Sequence, residues 1–242
     1  MAARSGRRGA IGPALKEMMI TMTEHQQLSD PAMLDLAFTW LTTRARRLTL
    51  EREIRDAARN DAGAVYRLCD RRPSTEPEDE AAERLVALRA LEDQQHGELH
   101  ARREAHRADP KARPLGLDRL AVTHELSEDE EMVLLTVVCG AISEDMANVL
   151  YGDLCVGYFG NATLEGVSRM LDAQTTADRL RVRRMLGPDA PLVKGGMIVL
   201  DLMTNRPTFP DDLLGARLRI TEQAFCTLVG EVSRPAPEVT TP

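Results

Sequence analysis

Leu34, Phe38, Leu41, Ala45 and Leu48 recur at spacings of four, three, four and three residues. Only a helix brings such positions onto one face, so the stripe commits this segment to an amphipathic helix that another element must cover. Asp30-Pro31 ahead of it offers a cap residue and a proline in the first helical position. Trp40 and Leu36 widen the face, and the pattern continues less cleanly through Ile54, Ala57, Ala58, Val65 and Leu68. Two prolines, Pro73 and Pro77, then force a loop. A second helix is predicted from Glu78 to Ala108, with a thin seam of Ala82, Leu85, Leu88, Leu91, Gln95 and Leu99. Two long helices joined by a short loop pack antiparallel, each covering the other's stripe. Gln95 and the His-rich end predict that the end of this hairpin stands in solvent.

Asp109-Pro110 and Pro114-Leu115-Gly116 break the second helix and act as a hinge. Shorter elements follow. Leu117, Leu120 and Ala121 predict a short helix. Ser127 and Glu130 have the spacing of a capping box, in which each side chain bonds the other's backbone N–H. Met132, Val133, Leu134, Leu135, Val137 and Val138 follow it, apolar nearly all round, which predicts a central helix. Ser143 caps a predicted helix with Met146, Val149 and Leu150. Thr163 caps one with Leu164, Val167, Met170 and Leu171. Thr176 opens one with Leu180, Val182, Met185 and Leu186, stopped by Gly187-Pro188. Residues 191–200 predict two strands about the Gly195-Gly196 turn, with Lys194 on that turn. Leu218-Arg219-Ile220 could add a strand, and Thr221 begins a last helix through Phe225 and Leu228.

Helices followed by a strand hairpin is the winged-helix order, and helix 163–173 takes the place that enters DNA in nucleic-acid-binding members. The expected fold is therefore mainly α with a small β-hairpin: a long antiparallel helical hairpin followed by a winged-helix (helix-turn-helix plus wing) domain. Its expected divisions are a disordered tail over 1–29, the helical hairpin over 30–110, the winged helix over 117–231 and a linker-like tail over 232–242.

Charge and composition narrow the function. The net charge is −7. Residues 1–116 carry a net +1 and residues 117–232 a net −8, so the second half repels phosphate backbones except at a local basic patch. Aromatics are 3% of the chain, which argues against base stacking on single strands. No apolar run reaches the ~18–20 residues of a membrane helix, and no secretory signal pattern follows the basic N-terminus. Cys69, Cys139, Cys155 and Cys226 lie far apart without a C-x-x-C pair, as expected for reduced thiols in a cytoplasmic protein.

Several stretches carry a family likeness. LDRLAVTHELSEDEEMVLLTVVCG (117–140), ATLEGVSRML (162–171), PDAPLVKGGMIVLD (188–201) and LRITEQAFCTLVG (218–230) resemble the winged-helix domain found N-terminal to the ATPase module in a bacterial AAA+ ATPase family. LDLAFTWLTTRARRLTL (34–50) resembles the helical segment preceding that domain. The resemblance implies a recruiting or regulatory role beside an AAA+ motor. The motor's own signature is missing from this sequence. No G-x-x-x-x-G-K-[ST] occurs, so nothing cradles the β- and γ-phosphates. Residues 197–201 mimic a Walker B strand without a following acid, and read as a strand of the wing.

No catalytic constellation emerges. His124 is the only histidine of the second half, and Glu125 beside it makes no triad with Ser127, Ser143 or Ser168. His96 and His100 stand one helical turn apart, a spacing that can hold zinc, with His106 further on. No Cys lies near, so a polar helix surface is expected there and no metal or other cofactor. Contact candidates are Arg169, Arg179, Arg181, Arg183, Arg184 and Lys194, a basic group in an acidic half. Arg4, Arg7, Arg8, Arg44, Arg46 and Arg47 are also basic, with Arg46 and Arg47 expected beside Glu51 and Glu53. The expected function is a non-catalytic protein-interaction or adaptor module whose partner is an AAA+ module or its substrate. The alternative is a winged-helix DNA-binding regulator using Arg169 and the 179–184 cluster. A homo-oligomer through the thin hairpin seam is a third expectation.

Overall fold

The computed structural model describes residues 28–60, 78–142, 162–201 and 216–231. Helix α1 spans Asp30–Asn60 and α2 spans Glu78–Ala108. Trp40 of α1 meets His96 of α2, Arg44 and Arg47 meet Glu92, and Glu51 meets Arg89. Partners descend α2 as α1 ascends, so the pair is an antiparallel hairpin. Ser29, not Asp30, caps α1: its carbonyl accepts from the Met33 N–H at 2.9 Å. Asp30 instead accepts a hydrogen bond from the Gly116 N–H, tying the hairpin's base to the hinge.

Beyond the hinge come α3 (Gly116–His124), α4 (Glu128–Ile142), β1 (Ala162–Thr163), α5 (Leu164–Met170), α6 (Thr176–Met185), α7 (Pro191–Lys194), β2 (Ile198–Asp201), β3 (Arg217–Ile220) and α8 (Glu222–Val229). Most helix starts follow the local chemistry. Ser127 and Glu130 form the expected reciprocal box at α4. Thr163 caps α5 and Thr221 caps α8, each accepting a backbone N–H three residues on. At α6 the cap is Thr175 rather than Thr176, because Asp178 returns the bond to Thr175. The predicted helix after Ser143 falls outside the described residues.

The three strands form an antiparallel sheet in the order β1-β3-β2. Ile198 pairs with Ile220 and Leu200 with Leu218, which sets one apolar face of the wing against the core. The wing hairpin is thus β2 with β3, not two strands within 191–200. Pro191 lies in the first turn of α7, so the residues before Gly195-Gly196 coil instead of extending. Lys194 consequently ends a helix.

Helix α4 is central as its composition predicts: Val133, Leu134, Leu135, Val137, Val138 and Cys139 are all buried. Met33, Leu34, Phe38 and Leu41 of α1 join the same core cluster as Val167, Met170, Ile198, Leu218 and Leu228. The hairpin's base is therefore part of the winged-helix core. Cys139 and Cys226 are buried free thiols, and burial pushes the Cys139 thiol well above the ordinary range. Cys69 and Cys155 fall outside the described residues.

The seam of α2 differs from the sequence pattern. Ala82 and Leu91 are exposed, whereas Ala81, Glu92, Leu99, Arg103 and His106 are buried. The His-rich end does not stand in solvent. Charges replace apolar residues on this face because each finds a partner across it. Arg103 donates to Asp118 of α3 at 3.1 Å and to Glu131 of α4 at 2.8 Å, and Arg107 also donates to Asp118. Helix α3 in turn lies so close to α8 that a Cβ on Gly116 would sit 1.9 Å from the Thr227 carbonyl oxygen.

Burial alone would raise the Asp118 carboxyl's pKa, but hydrogen bonds and charges from Arg107 and Arg103 outweigh it and hold the group below the ordinary 3.8. A depressed carboxylate contributes stability that is present above its unfolded pKa and lost as pH falls through the folded one. Asp118→Asn should cost about 3 kcal/mol at pH 7 and flatten the acid limb of the stability profile below pH ~4. Urea unfolding across pH checks this. An unchanged acid limb would contradict it.

Candidate interaction surface

Helices α5 and α6 make a helix-turn-helix. Leu171 ends α5, and Asp172 turns the chain with a left-handed φ of 52°, a conformation a short polar side chain tolerates. The sequence assigns the DNA-entering place to helix 163–173, and the structure corrects this. Strand β1 runs directly into α5, while α6 is the last substantial helix before the wing. The exposed second helix of the helix-turn-helix is therefore α6. Helix α5 is core instead, with Leu164, Gly166, Val167, Ser168 and Met170 buried.

Among the residues of α6 only Val182 is buried. Taking Val182 as the inward direction, Leu180 and Arg184 are one turn apart on the opposite face, with Arg181 and Arg183 on the flanks. Leu180 is 46% exposed. The sequence groups Leu180 with the apolar side of this helix, but a residue two positions from Val182 cannot share its face. That spacing was the available signal for a surface leucine. Arg181 donates to Asp129 of α4, a partner with no sequence cue. Arg179, Arg183 and Arg184 make no ion pair among the described residues.

Not all sequence candidates converge. Arg169 stays on α5, where its Nε donates to Glu165 at 3.0 Å. It lines a cleft of about 570 Å³ together with Arg52, Arg55, Glu165, Asp172 and Arg179, between the hairpin and the α5–α6 turn. Lys194 ends α7, exposed beside the wing. Arg46 and Arg47 diverge: Arg47 bonds Glu51 at 2.9 Å and also Glu92. Arg44 donates to Glu92 at 2.7 Å and to the Met170 carbonyl at 2.7 Å, fixing the end of α5 to the hairpin. Arg44 thus joins the hairpin to the helix-turn-helix, with Glu92 of α2 holding its guanidinium in place, a pairing across elements that no spacing within one helix reveals.

The winged helix domain, variant, family matches residues 29–237, a span that takes in both the hairpin and the wing. The chain belongs to this winged-helix family. No curated protein and no solved structure matches it. A winged helix presents its helix-turn-helix and its wing to a partner, either nucleic acid or protein. None of the described helices is long and apolar enough to cross a membrane.

The exposed arginines are separable from the winged helix's stability. An exposed pair such as Arg181–Asp129 contributes little, so the triple variant Arg181→Gln, Arg183→Gln, Arg184→Gln should unfold within about 1 kcal/mol of the parent. Glu92→Gln, which leaves Arg44 and Arg47 half-satisfied in a buried position, should lose about 3 kcal/mol. Urea denaturation followed by circular dichroism measures both. Equal losses would remove the distinction between surface and scaffold.

Proposed function

We propose that this winged helix is a non-catalytic interaction module and that α6 is its docking surface for an acidic protein partner. The observation that supports this most is the outward face of α6. It sets an exposed Leu180 among Arg181, Arg183 and Arg184, with only Val182 held inside. An apolar anchor ringed by guanidiniums suits a protein surface. The leucine gives desolvated contact area, and the arginines give bidentate contacts and long-range steering toward carboxylates. A phosphate backbone offers nothing for the leucine. The winged-helix half around it, residues 117–232, carries a net −8, which discourages non-specific nucleic-acid binding. The likeness to the domain preceding an AAA+ motor suggests the partner: an AAA+ module or its substrate, recruited or regulated in a cell compartment that keeps thiols reduced.

The second reading, a DNA-binding regulator, has its own support. Helix α6 stands where a recognition helix would, and its arginines have the chemistry for guanine edges and phosphates. Fluorescence polarisation separates the two readings. One titration uses a purified AAA+ module of the resembled family, and the other a labelled 20-base-pair duplex, both in 150 mM salt. The interaction reading expects the AAA+ module to bind and Leu180→Ala to weaken it by about tenfold, a change of ~1.4 kcal/mol. It expects the duplex to stay in the non-specific range of about 10⁻⁴–10⁻⁶ M. Duplex binding near 10⁻⁸ M that is lost in the triple glutamine variant would assign the surface to DNA.

A further inference from the structure

We propose that His96 and His100 form a chelating site for one divalent late-transition-metal ion of the nickel, copper or zinc class. The two stand at i and i+4 on α2, and their Nε2 atoms lie 2.9 Å apart. Metal–imidazole bonds of about 2.0–2.1 Å place two ligand nitrogens ~2.9 Å apart at a right angle and ~3.3 Å apart at a tetrahedral angle. The pair therefore already holds the separation of a cis chelate. The rings are also oriented. Their centroids are 4.3 Å apart with planes at 77°, and the His96 ring rests on Trp40 of α1 with centroids 4.6 Å apart. Both side chains are half-buried, so their rotamers are restricted before any ion arrives.

In the ion-free chain one Nε2 donates to the other. On binding, the donating ring moves that proton to its own Nδ1 through solvent, leaving both Nε2 lone pairs for the ion. No proton is gained or lost in this exchange. Burial, and then the nearby His100, hold His96 below the ordinary histidine range, which keeps it in the neutral ligand form at pH 7. Glu128, Arg44 and Glu92 are the other charged groups acting on His96. The Glu92 oxygens are held by Arg44 and Arg47, so this carboxylate is not a free third ligand. No cluster of three or more His, Cys, Asp or Glu suited to a metal occurs among the described residues. Water therefore completes the coordination, which leaves positions open to a group from a partner. Imidazole pairs favour the late first-row ions over magnesium or calcium.

Trp40 is the only tryptophan of the chain and lies against one of the two ligands, so it reports occupancy directly. The test is titration of the full, untagged chain with Ni²⁺ at pH 7.5, following tryptophan fluorescence, with Mg²⁺ as a control. The expected result is saturable one-to-one quenching that Zn²⁺ displaces and Mg²⁺ does not produce. His100→Ala keeps the Trp40–His96 contact and a helix-forming residue, and should weaken the quenching at least tenfold. His124→Ala, on α3, should leave it unchanged. Circular dichroism of each variant verifies folding, and His100→Gln serves if the alanine variant unfolds. Absence of quenching, or quenching that survives both His100 variants, overturns the site.

Discussion

The buried charges along α2 are the constraint on which the rest of the molecule depends. Glu92 draws Arg44 and Arg47 from α1, and Arg103 draws Asp118 from α3 and Glu131 from α4. Neither group tolerates loss of a partner, because an unpaired charge in that position keeps its desolvation cost and gains nothing. An apolar seam would let α2 slide or rotate along α1. Charged groups with fixed partners permit one register. Through Arg44 the register passes to the Met170 carbonyl, so the end of α5 and the turn into α6 are set by the hairpin. The outward face of α6 is the result of that chain of contacts.

A division of labour follows within the sequence. The residues that hold the fold pair inward and include several arginines and acids. The residues proposed for docking sit on a helix held by one buried valine, by its cap and by its neighbours. A helix anchored so lightly is inexpensive to decorate: its surface can change without moving the core. This separation is what an interaction module needs, since partner choice and folding stability are then set by different side chains.

Much of this was legible in the residues. The α1 stripe, the central α4, the capping chemistry at Ser127, Thr163 and Thr221, and the helix-then-wing order each rest on local rules that hold in isolation. The errors share a cause. Ala82 and Leu91 look like seam and Glu92 looks like surface, because hydrophobicity stands in for burial and an ion pair across two elements is invisible within one of them. Residues 191–194 look like a strand, but a proline followed by three residues and two glycines also fits one turn of helix, and only the surrounding contacts decide. The exposed second helix of the helix-turn-helix is α6 and not the 163–173 helix, a difference that arises because a two-residue strand, β1, is too short to read from sequence. Leu180 is the exception, since its spacing from Val182 held the answer.

The central structural claim is that hairpin and winged helix share one core and fold as one unit. The direct test is equilibrium urea unfolding read by two probes in one sample. Trp40 fluorescence reports the hairpin. Thiol reactivity of Cys139 and Cys226, in a background with Cys69 and Cys155 replaced by serine, reports α4 and α8. The account predicts coincident transitions with one midpoint. Exposure of Trp40 at a lower urea concentration than the thiols would mean an independently melting arm, and would contradict it.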